Sequence, residues 1–465
     1  MVKYDAIIIG SGQGGNPLAR KLAAAGWRTA LIEKKWIGGT CINVGCTPTK
    51  TLIASGRVAY LVKRSADFGV HIGDVGTRDG GWSVNIEAVI RRKNAHVLQA
   101  RESNTKSLLE THNLEVIFGH ARFSGLKELT VVKEDGSTAT ITAEHIFINT
   151  GTRAVIPSTP GLSSIQYFTS ETIMDLLVIP THLAIIGGSY IALEFGQLYR
   201  RLGSEVTILE QGDRFLHKED EDIAAEIKKI LEEDGIRVLT GAKVMGVLPT
   251  NGADEIELGT GEKIRASHVL VGTGRLPETA ALDPGASGIS VDEHGFIKVN
   301  DTLETNVPGI YALGDVKGGP QFTHVSYNDH LIIYKNLFEN GKQSKAGRPT
   351  LYCLFTDPEL GRVGLTEDEA RAQGLKIKVA RLPASHIARA WENDESRGML
   401  KAIVDAETGH ILGAAMLAVS GGELMTMLQL AMMGGITYDV LRDTMIAHPT
   451  FAESLNNLFA RLDQQ

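Results

Sequence analysis

Ala6-Ile7-Ile8-Ile9-Gly10-Ser11-Gly12-Gln13-Gly14-Gly15 is the stretch whose reading decides the fold: a short apolar strand runs into a glycine-rich turn. Leu18, Leu22 and Ala25 then recur at helical spacing, and Thr29 to Ile32 forms a second apolar strand that ends at Glu33. Strand, glycine loop, helix, strand and acid, in that order, make a dinucleotide-binding unit. The glycines let the backbone approach a pyrophosphate at the helix N-terminus, and the acid accepts from a ribose hydroxyl. Gly10, Gly12, Gly15 and Glu33 are therefore candidate cofactor contacts. A glycine pattern alone is weak evidence; the flanking elements, with Glu33 standing 23 positions beyond Gly10, give it weight.

The pattern recurs. Leu183 to Ile186 leads into Gly187-Gly188-Ser189-Tyr190-Ile191-Ala192-Leu193-Glu194, and Val206 to Leu209 ends at Glu210, again 23 positions beyond the first glycine. Two copies imply two bound nucleotides, and FAD in one with a nicotinamide cofactor in the other is the economical reading. Ser189 and Ala192 replace the second and third glycines, so a structural duplicate without a ligand is the alternative. Glu210 favours NADH over NADPH, because a carboxylate accepts from a free 2'-hydroxyl and repels a 2'-phosphate. Arg201 and Arg214 are the nearby cations that would argue for NADPH.

Between the copies lies Gly38-Gly39-Thr40-Cys41-Ile42-Asn43-Val44-Gly45-Cys46-Thr47-Pro48-Thr49-Lys50, which holds two of the three cysteines. Four intervening residues suit a small disulfide loop, whereas zinc sites use shorter gaps and a second ligand pair that is missing here. We read Cys41 and Cys46 as a redox-active disulfide and expect no metal site. Two buried structural thiols are the bland alternative; the flanking glycines, Pro48 and Lys50 make an ordinary helix core a poor fit.

Composition narrows the class. A chain of 465 residues divides into about three or four domains, and 43% hydrophobic with 22% charged residues describes a globular protein. The net charge is -8 and no basic stripe occurs, so nucleic acid is not an expected partner. No apolar run approaches a membrane span, and the N-terminal apolar strand is too short for a signal-peptide core; a cytoplasmic protein without a membrane partner is expected. Cys353, within Leu-Tyr-Cys-Leu-Phe, reads as a buried structural thiol, and the Met-rich helix from Glu423 to Met433 as core or subunit interface.

The cysteine segment is similar to the active-site signature of the flavin-dependent pyridine nucleotide-disulfide oxidoreductases, and the resemblance runs the whole chain. It implies an α/β fold with two Rossmann-like nucleotide-binding domains, glutathione reductase-like, plus a C-terminal α+β dimerisation domain. The boundaries expected are 1-150 for FAD binding, 151-274 for NAD(P) binding, 275-345 for a central region returning to FAD, and 346-465 for dimerisation. In the family the residue matching Cys46 lies against the flavin, the one matching Cys41 exchanges with substrate, and the one matching Lys50 sits near the hydride-accepting ring nitrogen. The resemblance also places Thr150, Gly151 and Asp315 near the flavin, the last through Tyr311-Ala312-Leu313-Gly314-Asp315, and Tyr190 and Glu194 at the nicotinamide, with Glu194 a partner for Lys50. Gly39, Thr40, His120, Ala121 and Gly274 complete the expected cofactor contacts.

His448-Pro449-Thr450-Phe451-Ala452-Glu453 matches the motif in which a histidine, oriented by the glutamate, serves as acid-base partner to the exchange cysteine from the other subunit of a homodimer. The function implied is an enzyme passing electrons from NADH or NADPH through FAD to a Cys41-Cys46 disulfide, and on to a small-molecule disulfide or other thiol-reactive oxidant. Mercuric or cupric ion reduction, dihydrolipoamide dehydrogenation and a non-catalytic FAD/NAD sensor are the rivals. Arg389-Ala390 with Arg397 to Lys401, and Glu453 to Phe459, look most like the reactive-chlorine-resistance flavoproteins, a branch near mercuric reductase. The sequence ends without the C-terminal cysteine pair that mercuric reductases carry. Ala192 resembles NADPH-preferring relatives, against the direction set by Glu210.

Overall fold

The structure is a computed structural model that describes residues 2–73 and 81–464. The loop expected between Gly73 and Gly81 falls almost wholly outside the described residues.

Strand β1 (Val2–Ile9), helix α1 (Gly15–Ala24) and strand β2 (Thr29–Glu33) form the first unit. β1 and β2 pair in parallel with Ile9 opposite Ile32, so both strands end at one level. The Gly10 N–H then donates to the Ile32 carbonyl at 2.8 Å, which sets the glycine turn beside Glu33. All of β2 and the last four residues of β1 are buried, as expected for parallel strands covered on both faces. With β3 (Leu114–Phe118), β4 (His120–Gly125), β5 (Glu128–Val132) and β6 (Thr138–Ile148) the sheet runs β3-β2-β1-β6-β5-β4. His120 begins β4. Residues Ile310–Ala312 return to this sheet and pair in parallel with the end of β6.

Both cysteines fall in helical residues. Cys41 lies in the short helix α2 (Gly39–Asn43), and Cys46 is the first residue of α3 (Cys46–Lys63). Pro48 does not block this start, because an amide in the first turn has no intrahelical acceptor to lose. α4 (Ile86–Leu109) is capped by Asn85, whose side chain accepts from the Ala88 N–H at 2.9 Å.

The second copy forms an all-parallel sheet of residues 236–239, 205–209, 182–186, 268–271 and 167–168 in that spatial order. Helix α5 (Tyr190–Leu202) follows its glycine turn, and α6 (Glu221–Glu233) packs alongside. α6 is shorter than the amphipathic run from Glu219 to Ile236 suggests. Glu219 and Asp220 are drawn off to Arg362, at 2.5 and 2.7 Å. Lys401 joins this buried cluster through Asp220, Asp222 and Glu367. Arg362 and Lys401 come from the C-terminal region, so the cluster ties it to the second copy; stripping one partner from such a set costs about 3–5 kcal/mol.

α7 (Thr323–Phe338) precedes a five-stranded antiparallel sheet built from residues 351–354, 359–364, 411–418, 399–405 and 377–383. The helix Gly421–Met433 lays Leu424, Met425 and Leu428 on that sheet, while Met427, Leu430 and Met433 stay exposed. Among the described residues, no helix is long and apolar enough to cross a membrane.

Candidate active site

Cys46 sits where two helices begin. It opens α3, and the hydroxyl of Thr323, first residue of α7, stands 3.3 Å from its Sγ. Helix N-termini carry partial positive charge, and both favour a thiolate here. Cys41 and Cys46 are present as thiols in hydrogen-bonding contact. The proton donated by Cys41 is the largest influence lowering the Cys46 thiol to about 6; burial opposes it, while Thr323 and the Lys50 charge add to it. Cys41 moves the other way, held protonated by the same hydrogen bond and by burial. The pair thus shares one proton, kept on Cys41.

Lys50, one helical turn beyond Cys46, donates to the Glu194 carboxylate at 2.7 Å. Glu194 is only 4% exposed, and its second oxygen accepts the Phe355 N–H at 3.0 Å. The Lys50 ammonium also lies 4.6 Å from the centre of the Phe355 ring. One ion pair therefore locks α3 to α5 and to the C-terminal region. Tyr190, at the start of α5, packs against Phe322 at 6.2 Å, and burial pushes its hydroxyl up to about 12.

The first glycine loop and the cysteine loop are built as one object. The Glu33 carboxylate accepts from the Ser11 N–H and hydroxyl at 2.9 and 2.7 Å, and from the Lys35 N–H at 2.9 Å. The Ser11 hydroxyl in turn accepts the Gly38 N–H at 3.1 Å. Gly39 has φ +62°, and a Cβ there would lie 2.7 Å from the Gly12 Cα, so only glycine permits this docking. A Cβ on Gly15 would lie 2.1 Å from the Gly10 carbonyl, and the Gly15 N–H donates to the Asn149 side chain at 2.8 Å. Thr40 is exposed beside Cys41, and its carbonyl accepts the Val44 N–H. Gly119 donates to the Glu33 carbonyl, which brings His120 and Ala121 to the same sheet end.

On the other side Asp315 accepts from the Thr152 hydroxyl at 3.2 Å, and Arg275 donates to that hydroxyl and to the Thr152 carbonyl. Burial raises the Asp315 carboxyl, opposed by the Arg275 charge. Thr150 holds a buried hydroxyl with no protein partner, Gly151 accepts the Glu278 N–H, and Gly274 accepts the Val155 N–H. A tight glycine cradle, an unpaired buried hydroxyl at Thr150 and the Asp315 carboxylate are groups that fit a flavin cofactor.

In the second loop Glu210 accepts from Gly188 at 2.8 Å and from Gly212 at 2.7 Å, so its carboxylate is fixed beside the Gly187 turn. The Ser189 hydroxyl turns to the Gly272 carbonyl, 3.4 Å away. Arg201 is paired to Asp357 at 2.6 Å, and Arg214 donates to the Glu219 carbonyl with Asp368 at 3.6 Å. Both cations have partners away from Glu210.

His448 is 65% exposed, and its Nδ1 lies 2.8 Å from Glu453. Within one chain, among the described residues, its ring bonds only to Glu453 and is not joined to either cysteine. Cys353 is half-buried rather than buried, its thiol pushed up to about 12 by burial. Among the described residues no cluster of three metal-ligating side chains occurs. The sequence reading missed Thr323, Arg275, Phe355 and Asn149. Only Asn149 carried a signal, as a polar residue ending the apolar run Ile146-Phe147-Ile148.

Residues 4–329 match the family described as pyridine nucleotide-disulphide oxidoreductase, and residues 350–459 match its dimerisation domain. The chain is 38% identical to the probable pyridine nucleotide-disulfide oxidoreductase RclA of Escherichia coli, over 99% of each. It is 34% identical to a mercuric reductase of Bacillus cereus, over 97% of this chain and 70% of that protein. A dihydrolipoyl dehydrogenase of Thermus scotoductus is 33% identical, over 100% of this chain and 98% of that one. Among solved structures, the Cu(II) complex of the HOCl-induced flavoprotein disulfide reductase RclA from Escherichia coli superposes with a TM-score of 0.90 over 99% of each chain, at 38% identity.

Proposed function

The chain belongs to the pyridine nucleotide-disulphide oxidoreductases, enzymes that use a flavin and a pyridine nucleotide, and from that premise we propose that it passes two electrons from NADH, by way of FAD, to a Cys41-Cys46 disulfide that reduces a small disulfide or oxidant. The observation that carries this reading is the setting of Cys46, whose Sγ lies at the starts of α3 and α7, 3.3 Å from the Thr323 hydroxyl and one helical turn from Lys50.

A bound flavin supplies the two-electron relay between the nicotinamide and the disulfide. The chain's own residues do the rest. Lys50, pinned by Glu194, holds positive charge beside the cysteines, and Asp315 and Glu33 would hold the cofactor. Two electrons and one proton open the disulfide, leaving a thiol on Cys41 and a thiolate on Cys46. Cys41 must lose its proton to attack an acceptor disulfide, and its hydrogen bond and burial resist that loss, so an external base is required. His448 of the partner subunit, oriented through Nδ1 by the partner's Glu453, takes that proton and returns it to the departing thiol. Cys46 then attacks the mixed disulfide at Cys41, which restores the pair and frees the second sulfur as a thiolate that takes its proton from solvent. The dimerisation domain supports a homodimer, as this shared site requires.

Purified protein is expected to be yellow, and release of its cofactor should yield FAD; colourless protein that gains nothing from added FAD would overturn the first-loop assignment. After uptake of two electrons, long-wavelength charge-transfer absorbance from the Cys46 thiolate is expected. Because that thiol is lowered, the thiolate is present above its value, and the band should fade as pH falls through about 6. Thr323→Val should move the midpoint upward; a midpoint near 8.5, the value of an ordinary thiol, would remove the argument.

Glu210 should make NADH the better donor. Glu210→Ala is expected to shrink the NADH to NADPH ratio of kcat/KM by about tenfold. A wild type that prefers NADPH, with a ratio unmoved by the substitution, would sink the carboxylate argument. The acceptor is best sought with a panel of lipoamide, glutathione disulfide, mercuric and cupric ions and hypochlorite-derived oxidants, the metals included because mercuric reductases and a Cu(II)-bound flavoprotein are relatives.

A further inference from the structure

α3 and α4 flank an open cleft of about 620 Å³ that reaches Thr47 at the start of α3. Thr47, Lys50 and Thr51 line one wall, and Arg92, His96 and Gln99 the other; no carboxylate lines it. Thr47 directly follows Cys46. At its far end α4 reaches the helix of Cys41, because Arg101 donates to the Asn43 side chain at 2.7 Å. The cleft therefore runs along a helix that touches the elements carrying both cysteines.

Its charge is unbalanced. Lys50 is paired with the Glu194 carboxylate at 2.7 Å. Arg92 has no ion pair among the described residues; one guanidinium nitrogen donates to the Thr51 carbonyl at 2.8 Å and to the Ser55 hydroxyl at 3.3 Å. Those bonds hold the side chain against α3 without cancelling its charge. The neighbouring cations on α4 are spent, Arg91 on Glu87 at 3.5 Å and Lys93 on Asp175 at 2.5 Å. An uncompensated, pre-positioned guanidinium in a carboxylate-free cleft of a chain with net charge -8 is a local anion attractor.

We propose that this cleft is an anion-recognition site centred on Arg92, which selects low-molecular-weight acceptors bearing a carboxylate and guides them to the cysteine pair. The proposal rests on the reading that Cys41 and Cys46 pass electrons outward. An acceptor's carboxylate pairs with the guanidinium while its sulfur-sulfur bond lies toward Cys41; cationic acceptors of equal length are repelled.

The test uses the full-length, cofactor-loaded enzyme at low ionic strength, with two symmetrical disulfides of similar length: 3,3'-dithiodipropionate, a dianion, and cystamine, a dication. Wild type is expected to favour the dianion in kcat/KM. Arg92→Glu should lower the dianion to dication ratio by about tenfold or more, and Arg92→Lys, which keeps the charge, should retain most of it. Arg91→Glu, one position away but outside the cleft, should leave the ratio unchanged. Rising salt should erode the preference, because the cleft is open to solvent.

A second measurement reads the site without turnover: calorimetric binding of suberate, an inert dicarboxylate of matching length, should be weakened about tenfold by Arg92→Glu. If neither disulfide is reduced but suberate binding responds to Arg92, the exchange reading has failed and the site stands. Suberate that does not bind, or binds wild type and Arg92→Glu alike, overturns the proposal. So does an Arg91→Glu effect as large as that of Arg92→Glu, which would reveal bulk charge rather than a site.

Discussion

Replacing either Cys41 or Cys46 by Ser should reduce NADH-dependent turnover of a disulfide acceptor by about 10³-fold or more, because the two sulfurs act as one unit and neither exchanges alone. The variants are expected to differ in every other respect. Cys46→Ser removes the sulfur that Thr323, Lys50 and the starts of α3 and α7 hold as thiolate, so charge-transfer absorbance should vanish with activity. Cys41→Ser leaves that thiolate in place, and the band should persist while exchange stops. A serine hydroxyl in place of Cys41 still donates to Cys46, so its thiolate should remain the favoured form near neutral pH. Measuring absorbance and acceptor reduction on the same preparations decides the matter. Absorbance retained by Cys46→Ser and lost by Cys41→Ser would reverse the two roles.

His448→Ala should slow acceptor reduction by about 10²- to 10⁴-fold, the range for loss of a positioned acid-base group. The requirement is set by Cys41, whose proton is held by Cys46 and by burial; a free thiol is already only about 3 percent thiolate at pH 7. Reduction of the cofactor by NADH should be spared, since His448 bonds only to Glu453 among the described residues of its own chain. Glu453→Gln should give a milder loss, because the ring stays near its place but loses the carboxylate that stabilises its protonated form. The decisive measurement is subunit mixing. Dimers formed from inactive Cys41→Ser and inactive His448→Ala chains hold one site with both wild-type groups, and some activity should return. Hybrids that never recover any, or a fully active monomer, would sink the shared site.

The exposed Met427, Leu430 and Met433 on the helix Gly421–Met433 bear on the same question. Composition alone leaves core and subunit interface equally open for this helix. The structure divides the helix by position: Leu424, Met425 and Leu428 face the five-stranded sheet, and Met427, Leu430 and Met433 lie exposed on the other face.

The elements legible in the sequence are those whose chemistry is local. A glycine turn needs its glycines at fixed positions within a few residues, the acid closing each unit sits at the end of the next strand, and two cysteines five positions apart meet through the chain itself. That is why the α/β class, the duplication, Glu33, Glu210 and the cysteine pair can be read from spacing and residue type. The start of α3 cannot, since Pro48 signals a break unless the first turn is known to tolerate it. Thr323 reaches Cys46 across 277 positions, Phe355 reaches Glu194 across 161, and Thr152 reaches Asp315 across 163. No spacing or periodicity encodes such meetings. They are produced when the return strand Ile310–Ala312 pairs with β6 and when the Arg362 and Lys401 cluster draws the C-terminal sheet against the second copy. The sequence by itself determined which groups could carry electrons and cradle a nucleotide; the tertiary structure alone decided what surrounds each sulfur, because helix ends, a hydroxyl and a lysine converge on Cys46 from distant parts of the chain.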